Sequence, residues 1–452
     1  MSDIELAILS FFVLIGMIFI RIPIGLAMLL CGLTGTWIVT DSYRVVLGQM
    51  KVIPFDTFSS YSLTIVPLFL LMGQFATRGG MSKALFKAAE SFLGHRKGGI
   101  AMAAIGACAG FGAICGSSLA TAATMANVAL PEMRRAGYSN SLATGCLAAG
   151  GTLGILIPPS VVLVIYAILA EQNIVKMFAA ALIPGILAAI GYMITVAIYV
   201  RLNPESATSL KRQPWSARMK ALFEVWPVML IFSLVIGGIY MGWFTPTEGA
   251  AVGAMGTGLL AYAQGGLGWK ELKECIFGTA AATGMIFFII LGASVYNTFL
   301  ALTQLPQDTA TMVGNMGVDP WLVLIMILAC YLVFGCIMDS LSMILLTIPI
   351  FFPVVMGLDF GMSSEETAIW FGILVLIVVE VGLITPPVGM NIFIINNLAK
   401  TVSMKESYRG VIPFVISDLV RVVILTAFPF VTLFLVRALD GKYDNLLLQM
   451  FN

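Results

Sequence analysis

Four clusters of residues, and one glutamate beside the last of them, have the types and spacing for ion chemistry, each set inside an apolar run. They are "CGSS" (115–118), "GILIPPS" (154–160), "MDSLS" (338–342) and "GLITPPVGMN" (382–391), with Glu380 just before the last. Proline at 386 and 387 removes two N–H donors and disfavours helix at the residues before each. The carbonyls of Gly382 through Thr385 are therefore expected to lose their helical partners. Free carbonyls beside hydroxyls form an oxygen-rich nest for a small hard cation, and the half-helix N-termini created by the same break favour anions.

The polar residues of these clusters are the candidates for binding. Asp339 is ionisable in an apolar setting, which costs several kcal/mol on most scales and marks a functional candidate. Ser117, Ser118, Ser340 and Ser342 add hydroxyls. A lone serine in such a helix bonds back to its own backbone, but these cluster at a break in both halves of the chain. Glu380 could orient the broken backbone, carry a proton, bind a cation or stay neutral and structural. Asn391 could cap the next half-helix or face a substrate. Glu248, in "FTPTEGAAVG" (244–253), reads as a helix cap.

The elements that must position these residues are membrane helices. Of 452 residues, 60% are hydrophobic and only 10% charged, and mean hydropathy is +1.00, against about 25% charged in soluble domains. Apolar runs long enough to cross a bilayer occur near 4–20, 24–40, 60–77, 139–170, 177–200, 222–243, 246–264, 275–300, 366–399 and 411–436. The acidic N-terminus is read as the first of these spans and not as a leader. Two further runs, 98–133 and 320–356, are interrupted by the "CGSS" and "MDSLS" clusters. Segment 81–95 has the pattern of a surface helix, either an arm joining a mobile part to a fixed one or a plain connector.

Loop charges predict sidedness. The first interrupted run is flanked by Arg78, Lys83, Lys87, Arg96 and Lys97 and by Arg134 and Arg135, so both its ends are placed in the cytoplasm. The second is flanked by Asp308 and Asp319 and by Asp359, Glu365 and Glu366, so both its ends are placed outside. Each run then reads as a re-entrant hairpin, entering from opposite sides. An internal repeat supports the inversion: Phe111, Gly112, Ile114 and Ser117 align with Phe334, Gly335, Ile337 and Ser340, and Gly116 with Asp339. The diprolines of "GILIPPS" and "GLITPPV" align next, then "KMFAAALIP" (176–184) with "KESYRGVIP" (405–413). The expected fold is an all-α polytopic membrane protein with inverted repeats, two re-entrant hairpins and two broken transmembrane helices. The first repeat is expected over 1–200 (hairpin about 98–133, broken helix about 139–170), a cytoplasmic linker over 201–220, and the second repeat over 221–452 (hairpin about 320–356, broken helix about 366–399).

Several functions are disfavoured. A net charge of +1 offers nothing for nucleic acid, and no GxxxxGK[ST] loop occurs for nucleotide. Seven cysteines without CxxC spacing read as small buried hydrophobes. The single histidine, His95, lies in a basic loop, and Asp339 has no second mid-membrane aspartate to pair with, so no catalytic constellation is expected and the chain reads as a non-enzyme without cofactors. No ring of pore-lining charge suggests a channel. No buried arginine is expected to clamp a carboxylate, so an anion site would lean on helix N-termini and hydroxyls.

Taken together, "RIPIGLAM" (21–28), "VPLFLLMG" (66–73), "CGSSLATAATM" (115–125), "GTLGILIPPS" (151–160), "GWFTPTEGAAVGA" (242–254), "MDSLSMILLTIPIFFPV" (338–354) and "VEVGLITPPVGMN" (379–391) resemble the large membrane subunit of tripartite ATP-independent periplasmic (TRAP) transporters, over nearly the whole chain. The resemblance implies sodium-driven uptake of an organic acid across a bacterial inner membrane. It implies two partners, a periplasmic substrate-binding protein and a small four-span membrane subunit, and an elevator-like transport part moving against a scaffold. It also implies sodium ions where hairpin tips meet broken helices: Gly116, Ser117, Ser118, Gly154 and Pro158 for one, Asp339, Ser340, Gly382 and Thr385 for the other. Ser160, Ser342, Pro387, Gly389 and Asn391 are the expected substrate contacts. The competing expectation is a stand-alone sodium- or proton-coupled anion symporter that needs no binding protein.

Overall fold

The computed structural model describes residues 2–315, 317–400 and 402–441; the end of the expected second repeat, 442–452, lies outside them. Every regular element among the described residues is helical. Three helices, Ile174–Leu202, Trp269–Leu302 and Met404–Ala427, are each long and apolar enough to cross a bilayer, and three bent helix pairs can each supply another span. Large apolar side chains line the outside, among them Phe12, Val423 and Phe277 at 66%, 67% and 72% exposure. An exterior of that kind suits lipid rather than water, and the chain is a multi-pass membrane protein.

Both interrupted runs are hairpins. The first pairs Gly99–Cys115 with Ser118–Arg135, and the second pairs Pro320–Gly335 with Ser340–Met356. Both broken helices are broken where the prolines stand: Asn140–Leu156 gives way to Val161–Leu169 with a 46° bend, and Ser364–Gly382 is followed by Met390–Ala399. In each half the order is surface helix, hairpin, broken helix, long helix. Met81–Leu93 opens the first series, and Leu305–Asn315 opens the second.

Close glycine contacts set the packing. Gly112 of the first hairpin meets Gly154 of the first broken helix so closely that a Cβ on Gly112 would sit 2.5 Å from the Gly154 Cα. The second half repeats the contact, since a Cβ on Gly382 would sit 2.5 Å from the Gly335 Cα. These are the residues that the internal repeat aligns, so the repeat is visible in packing as well as in sequence. The halves also interlock, because Gly145 of the first broken helix packs on the backbone of Gly410 in the long helix of the second half.

A second body stands beside this one. Ile24–Thr40 lies along Trp269–Leu302, with Gly25, Gly32 and Gly35 against Phe288, Tyr296 and Phe299. Ile65–Arg78 lies along Pro246–Ala263, where Gly253 meets Met72 and Gly258 meets Phe75. Small residues let membrane helices approach closely where no hydrophobic force drives them together.

Four segments differ from expectation. Residues 43–59 form an additional helix, Tyr43–Ser59, with no buried residue, bent 52° from the helix that follows. The run 411–436 is two helices, Met404–Ala427 and Pro429–Leu439, because Phe428 precedes a proline and leaves helical geometry (φ −126°, ψ 73°). The acidic segment 304–320 carries the helix Leu305–Asn315. The polar segment 201–220 contains the start of a helix at Trp215 and is stitched to the first hairpin and its flanks: Ser139 N donates to Ser206 O at 2.9 Å, Leu210 N to Gly94 O at 2.9 Å, and Tyr138 Oη to Thr208 O at 3.2 Å.

Candidate functional site

The two hairpin tips face one cavity of about 340 Å³. Gly116, Ser117, Ser118 and Leu119 line it from the first tip, and Asp339, Ser340 and Leu341 from the second. The broken helices contribute Ile155, Val161, Val162, Leu383 and Met390, and the second body closes it with Leu70, Ala282, Met285 and Ile286. The cavity thus lies between the hairpin body and its neighbour.

Local rules build each tip. At the first, Gly116 takes φ +64°, a conformation natural to glycine, and Ser117 Oγ accepts from Ala120 N at 3.4 Å to start Ser118–Arg135. At the second, Asp339 starts Ser340–Met356: Oδ2 accepts from Ser342 N at 3.1 Å and Oδ1 from the Ser342 hydroxyl at 2.5 Å. The N-caps are therefore Ser117 and Asp339, and the first helical residues are Ser118 and Ser340. Sequence alignment had matched Asp339 to Gly116; in structure Asp339 takes the cap position of Ser117, because the second returning helix starts one position sooner after the matched glycine, Asp339 standing four residues beyond Gly335 and Ser117 five beyond Gly112. One tip carries a neutral cap and the other a carboxylate.

Behind the tips stand the remaining predicted residues. Gly154 packs against the Ser117 carbonyl, and the Pro159 carbonyl approaches Gly116. Gly389, at φ +59°, leaves room where two carbonyls converge: a Cβ there would lie 3.3 Å from Thr385 O and 3.4 Å from Leu383 O. Two of the four carbonyls expected to be freed do find partners, since Gly382 O accepts from Thr385 N at 3.0 Å and Leu383 O from Asn391 N at 3.1 Å. The Thr385 hydroxyl bonds back to Val381 O at 2.6 Å. Ser160 is fully buried and caps Val161–Leu169 through Leu163 N. The side chain of Asn391 donates to Ala148 O at 3.4 Å, joining the two broken helices; of its two expected roles, helix cap or substrate contact, the first falls to Gly389, which starts Met390–Ala399. The Pro387 carbonyl is taken by the Tyr408 hydroxyl at 2.6 Å. Thus Gly116, Ser117, Ser118, Asp339 and Ser340 reach the cavity, whereas Gly154, Pro158, Ser160, Ser342, Gly382, Thr385, Pro387, Gly389 and Asn391 are not among the residues lining it. Glu248 forms a capping box with Thr245, away from the cavity.

Glu380 is fully buried; its Oε1 accepts from the Ser340 hydroxyl at 2.7 Å. Further back lies a charged group absent from the sequence reading. Asp418 and Arg421, 1% and 7% exposed, form an ion pair at 2.8 Å on the helix Met404–Ala427. The Tyr192 hydroxyl donates to Asp418 Oδ2 at 2.7 Å and lies 3.0 Å from the Thr152 hydroxyl. The chain therefore does bury an arginine. The guanidinium of Arg421 stacks over Tyr192, 5.7 Å from the ring centre, and is absent from the cavity lining, so it offers no clamp there. The signal was the spacing Asp418-Leu-Val-Arg421, an i,i+3 pair on one helical face.

The donors at the tips are oxygens: hydroxyls, carbonyls and one carboxylate. Among the described residues no group of three or more His, Cys, Asp or Glu is placed to hold a metal. An oxygen set with a single carboxylate suits a hard cation held weakly enough to be released.

Comparison with known proteins shows the family. Residues 11–431 match the family model "Tripartite ATP-independent periplasmic transporter, DctM component". The C4-dicarboxylate TRAP transporter large permease protein DctM of Pseudomonas aeruginosa is 36% identical over 383 residues, 84% of this chain and 87% of that protein. The sialic acid TRAP transporter large permease protein SiaM of Vibrio cholerae is 29% identical, covering 94% of this chain and 97% of that one. The 2,3-diketo-L-gulonate TRAP transporter large permease protein YiaN of Escherichia coli is 30% identical over 89% of this chain and 92% of its own. Among solved structures, the YdaH transporter of Alcanivorax borkumensis superposes with a TM-score of 0.63 over 85% of this chain and 88% of that one; at 14% identity the likeness is one of fold.

Proposed function

This chain belongs to the DctM component family of tripartite ATP-independent periplasmic transporters, and from that premise we propose that it drives uptake of an organic acid anion across a bacterial inner membrane with sodium as the coupling ion. The observation that carries the proposal is the meeting of both hairpin tips, one bearing Asp339, in a single cavity between the two bodies. Sodium would be held by the oxygens of Ser117, Ser118 and the carbonyls near Gly154 on one side, and by Asp339, Ser340 and the carbonyls converging at Gly389 on the other. The anion would occupy the cavity between the tips, facing helix N-termini and hydroxyls. Relatives named for C4-dicarboxylate, sialic acid and diketogulonate point to a small organic acid as the substrate class. A periplasmic binding protein delivers the acid, and a small four-span subunit completes the membrane complex. The repeats divide at segment 201–220, and the hairpin body moves as an elevator against the body built on Ile24–Thr40 and Trp269–Leu302.

The test is uptake by proteoliposomes holding this chain, its small subunit and the cognate binding protein, under an inward sodium gradient or a matched potassium gradient. Uptake that requires both sodium and the binding protein is expected. Equal uptake in potassium would sink sodium coupling and favour a proton route through Glu380. Equal uptake without the binding protein would favour a stand-alone symporter.

A further inference from the structure

A second cavity, of about 390 Å³, lies apart from the hairpin tips and is built on cations: Arg96, Lys97 and Arg201 line it over a floor of Met102, Ala197 and Val200. It stands where the turn before the first hairpin docks on the end of Ile174–Leu202. Backbone bonds fix that turn, since Arg96 N donates to Leu93 O and Gly99 N to Arg96 O, each at 2.9 Å. Gly98 brings the turn against the helix at φ +76°, where a Cβ would lie 3.0 Å from Val200 Cγ2 and 3.1 Å from Val196 Cγ1. Arg96 and Lys97 are thereby held beside Arg201.

Three like charges around one cavity repel one another unless a counter-charge enters. Among the described residues no carboxylate lines the cavity, and Arg96, Lys97 and Arg201 make no ion pair. Basic residues elsewhere on this end of the protein do pair: Lys87 with Glu224 at 3.0 Å and Arg135 with Glu132 at 2.7 Å. Glu205, four residues beyond Arg201, is exposed and outside the lining. Arg201 suits the C-terminal turn of its own helix, which accounts for one cation and not for three together.

The surface leading away from the cavity shows what kind of anion fits. Ile186, Ile190, Ile194, Ala197 and Arg201 follow one another at steps of three and four, so they share one face of Ile174–Leu202. The three isoleucines are exposed and belong to the lipid-facing exterior. From Ile190 to Arg201 the helix rises about 16 Å at ~1.5 Å per residue, close to the thickness of one leaflet, half of ~30 Å. A ligand that satisfies both features has an anionic end for the cations and an apolar body for the isoleucines. Loop charge predicts the cytoplasmic side for this end, where the membrane surface carries a negative potential and basic pockets between helices take anionic head groups.

We propose that this cavity binds the head group of an anionic phospholipid, with an acyl chain lying along Ile194, Ile190 and Ile186. The lipid bridges the start of the first hairpin and the end of the long helix. The site requires neither sodium coupling nor the cavity between the hairpin tips.

The test is thermal unfolding of the full chain in detergent, titrated with phosphatidylglycerol, with phosphatidylcholine of the same acyl chains, or with inorganic phosphate. Phosphatidylglycerol should raise the Tm saturably, and the other two should not. The triple variant Arg96→Gln, Lys97→Gln, Arg201→Gln should raise the half-saturating phosphatidylglycerol by at least about tenfold. The control Lys211→Gln, Arg212→Gln, Lys220→Gln removes as many exposed charges nearby and should shift it by less than about twofold. Four results overturn the proposal. Unaltered half-saturation in the triple variant places the lipid elsewhere, and an equal shift in the control makes it a diffuse basic surface. Equal stabilisation by phosphatidylcholine leaves a groove for acyl chains alone. Full stabilisation by inorganic phosphate leaves a site for a free anion. If the triple variant does not fold, Ala197→Trp decides, since it fills the cavity and keeps all three charges: weakened phosphatidylglycerol binding supports the site, and unaltered binding overturns it.

Discussion

At the scale of single residues, Asp339 performs two tasks that substitution can separate. Its carboxylate caps Ser340–Met356 through Ser342 and also lines the cavity. Asparagine caps a helix as well as aspartate but brings no charge, and loss of a cap costs about 1 kcal/mol. Asp339→Asn should therefore keep the thermal stability of the purified protein and still raise the half-saturating sodium for uptake by about tenfold. Asp339→Ala should lose both stability and sodium affinity. If Asp339→Asn transports with unaltered sodium dependence, the carboxylate is a cap alone. The ion pair behind the tips makes a second case. Arg421→Ala leaves Asp418 buried without its partner and should destabilise the protein by about 3–5 kcal/mol, whereas Asp418→Leu with Arg421→Leu removes both charges and should cost less than the single change. Thermal unfolding of the single and double variants in detergent measures the difference. These residues also show what could be read from the sequence. Asp339 and Glu380 announced themselves as ionisable residues beside helix breakers. Asp418 and Arg421 sit in an unbroken apolar stretch, and their burial depends on Tyr192 and Thr152, more than two hundred positions away. The cap at Asp339 was equally hidden, because an ungapped alignment cannot register that the second returning helix starts one residue sooner than the first.

At the scale of elements, the matched glycines are the joints between hairpin and broken helix. A Cβ on Gly382 would fall 2.5 Å from the Gly335 Cα, backbone that cannot rotate away. Gly382→Ala should force the second hairpin off its broken helix, at a cost of about 1–3 kcal/mol. Gly48→Ala, where nothing lies within 4 Å, should leave stability and uptake unimpaired. Uptake and thermal unfolding of the two variants, side by side, check the contrast; equal behaviour would remove the joint from the account. Hairpins and broken helices were legible because proline and the polar clusters interrupt long apolar runs, and a break inside a membrane has few explanations. Tyr43–Ser59 was not legible on those terms. It carries Arg44, Lys51 and Asp56, buries no residue, and has an interior proline at 54, so neither hydropathy nor burial marks it. The break at Phe428 was marked by Pro429, but it falls near the end of a run long enough to pass as one span.

At the scale of the whole molecule, the cavity lies between two bodies, the proposed elevator displaces one against the other, and one native cysteine offers a way to arrest that movement. Gly73, on Ile65–Arg78 of the second body, lies against the tip of the first hairpin. A Cβ built there would sit 3.4 Å from the sulfur of Cys115 and 3.0 Å from its carbonyl oxygen. A cysteine at 73 would thus stand beside the Cys115 sulfur, and a bond between them needs the two Cβ atoms to settle about 3.5–4.5 Å apart. Cys115 is free and buried. Gly73→Cys should therefore form a bond with Cys115 under mild oxidation, joining the hairpin body to its neighbour. If the hairpin body moves past the second body in each cycle, oxidised Gly73→Cys should lose uptake almost entirely and recover on reduction. The same substitution with Cys115→Ser should transport equally before and after oxidation, which separates the bond from the crowding at Gly73. Full uptake by a quantitatively cross-linked protein would show that this contact is preserved throughout the cycle, and the moving boundary would then have to be sought on the far side of Ile65–Arg78, along its packing with Pro246–Ala263.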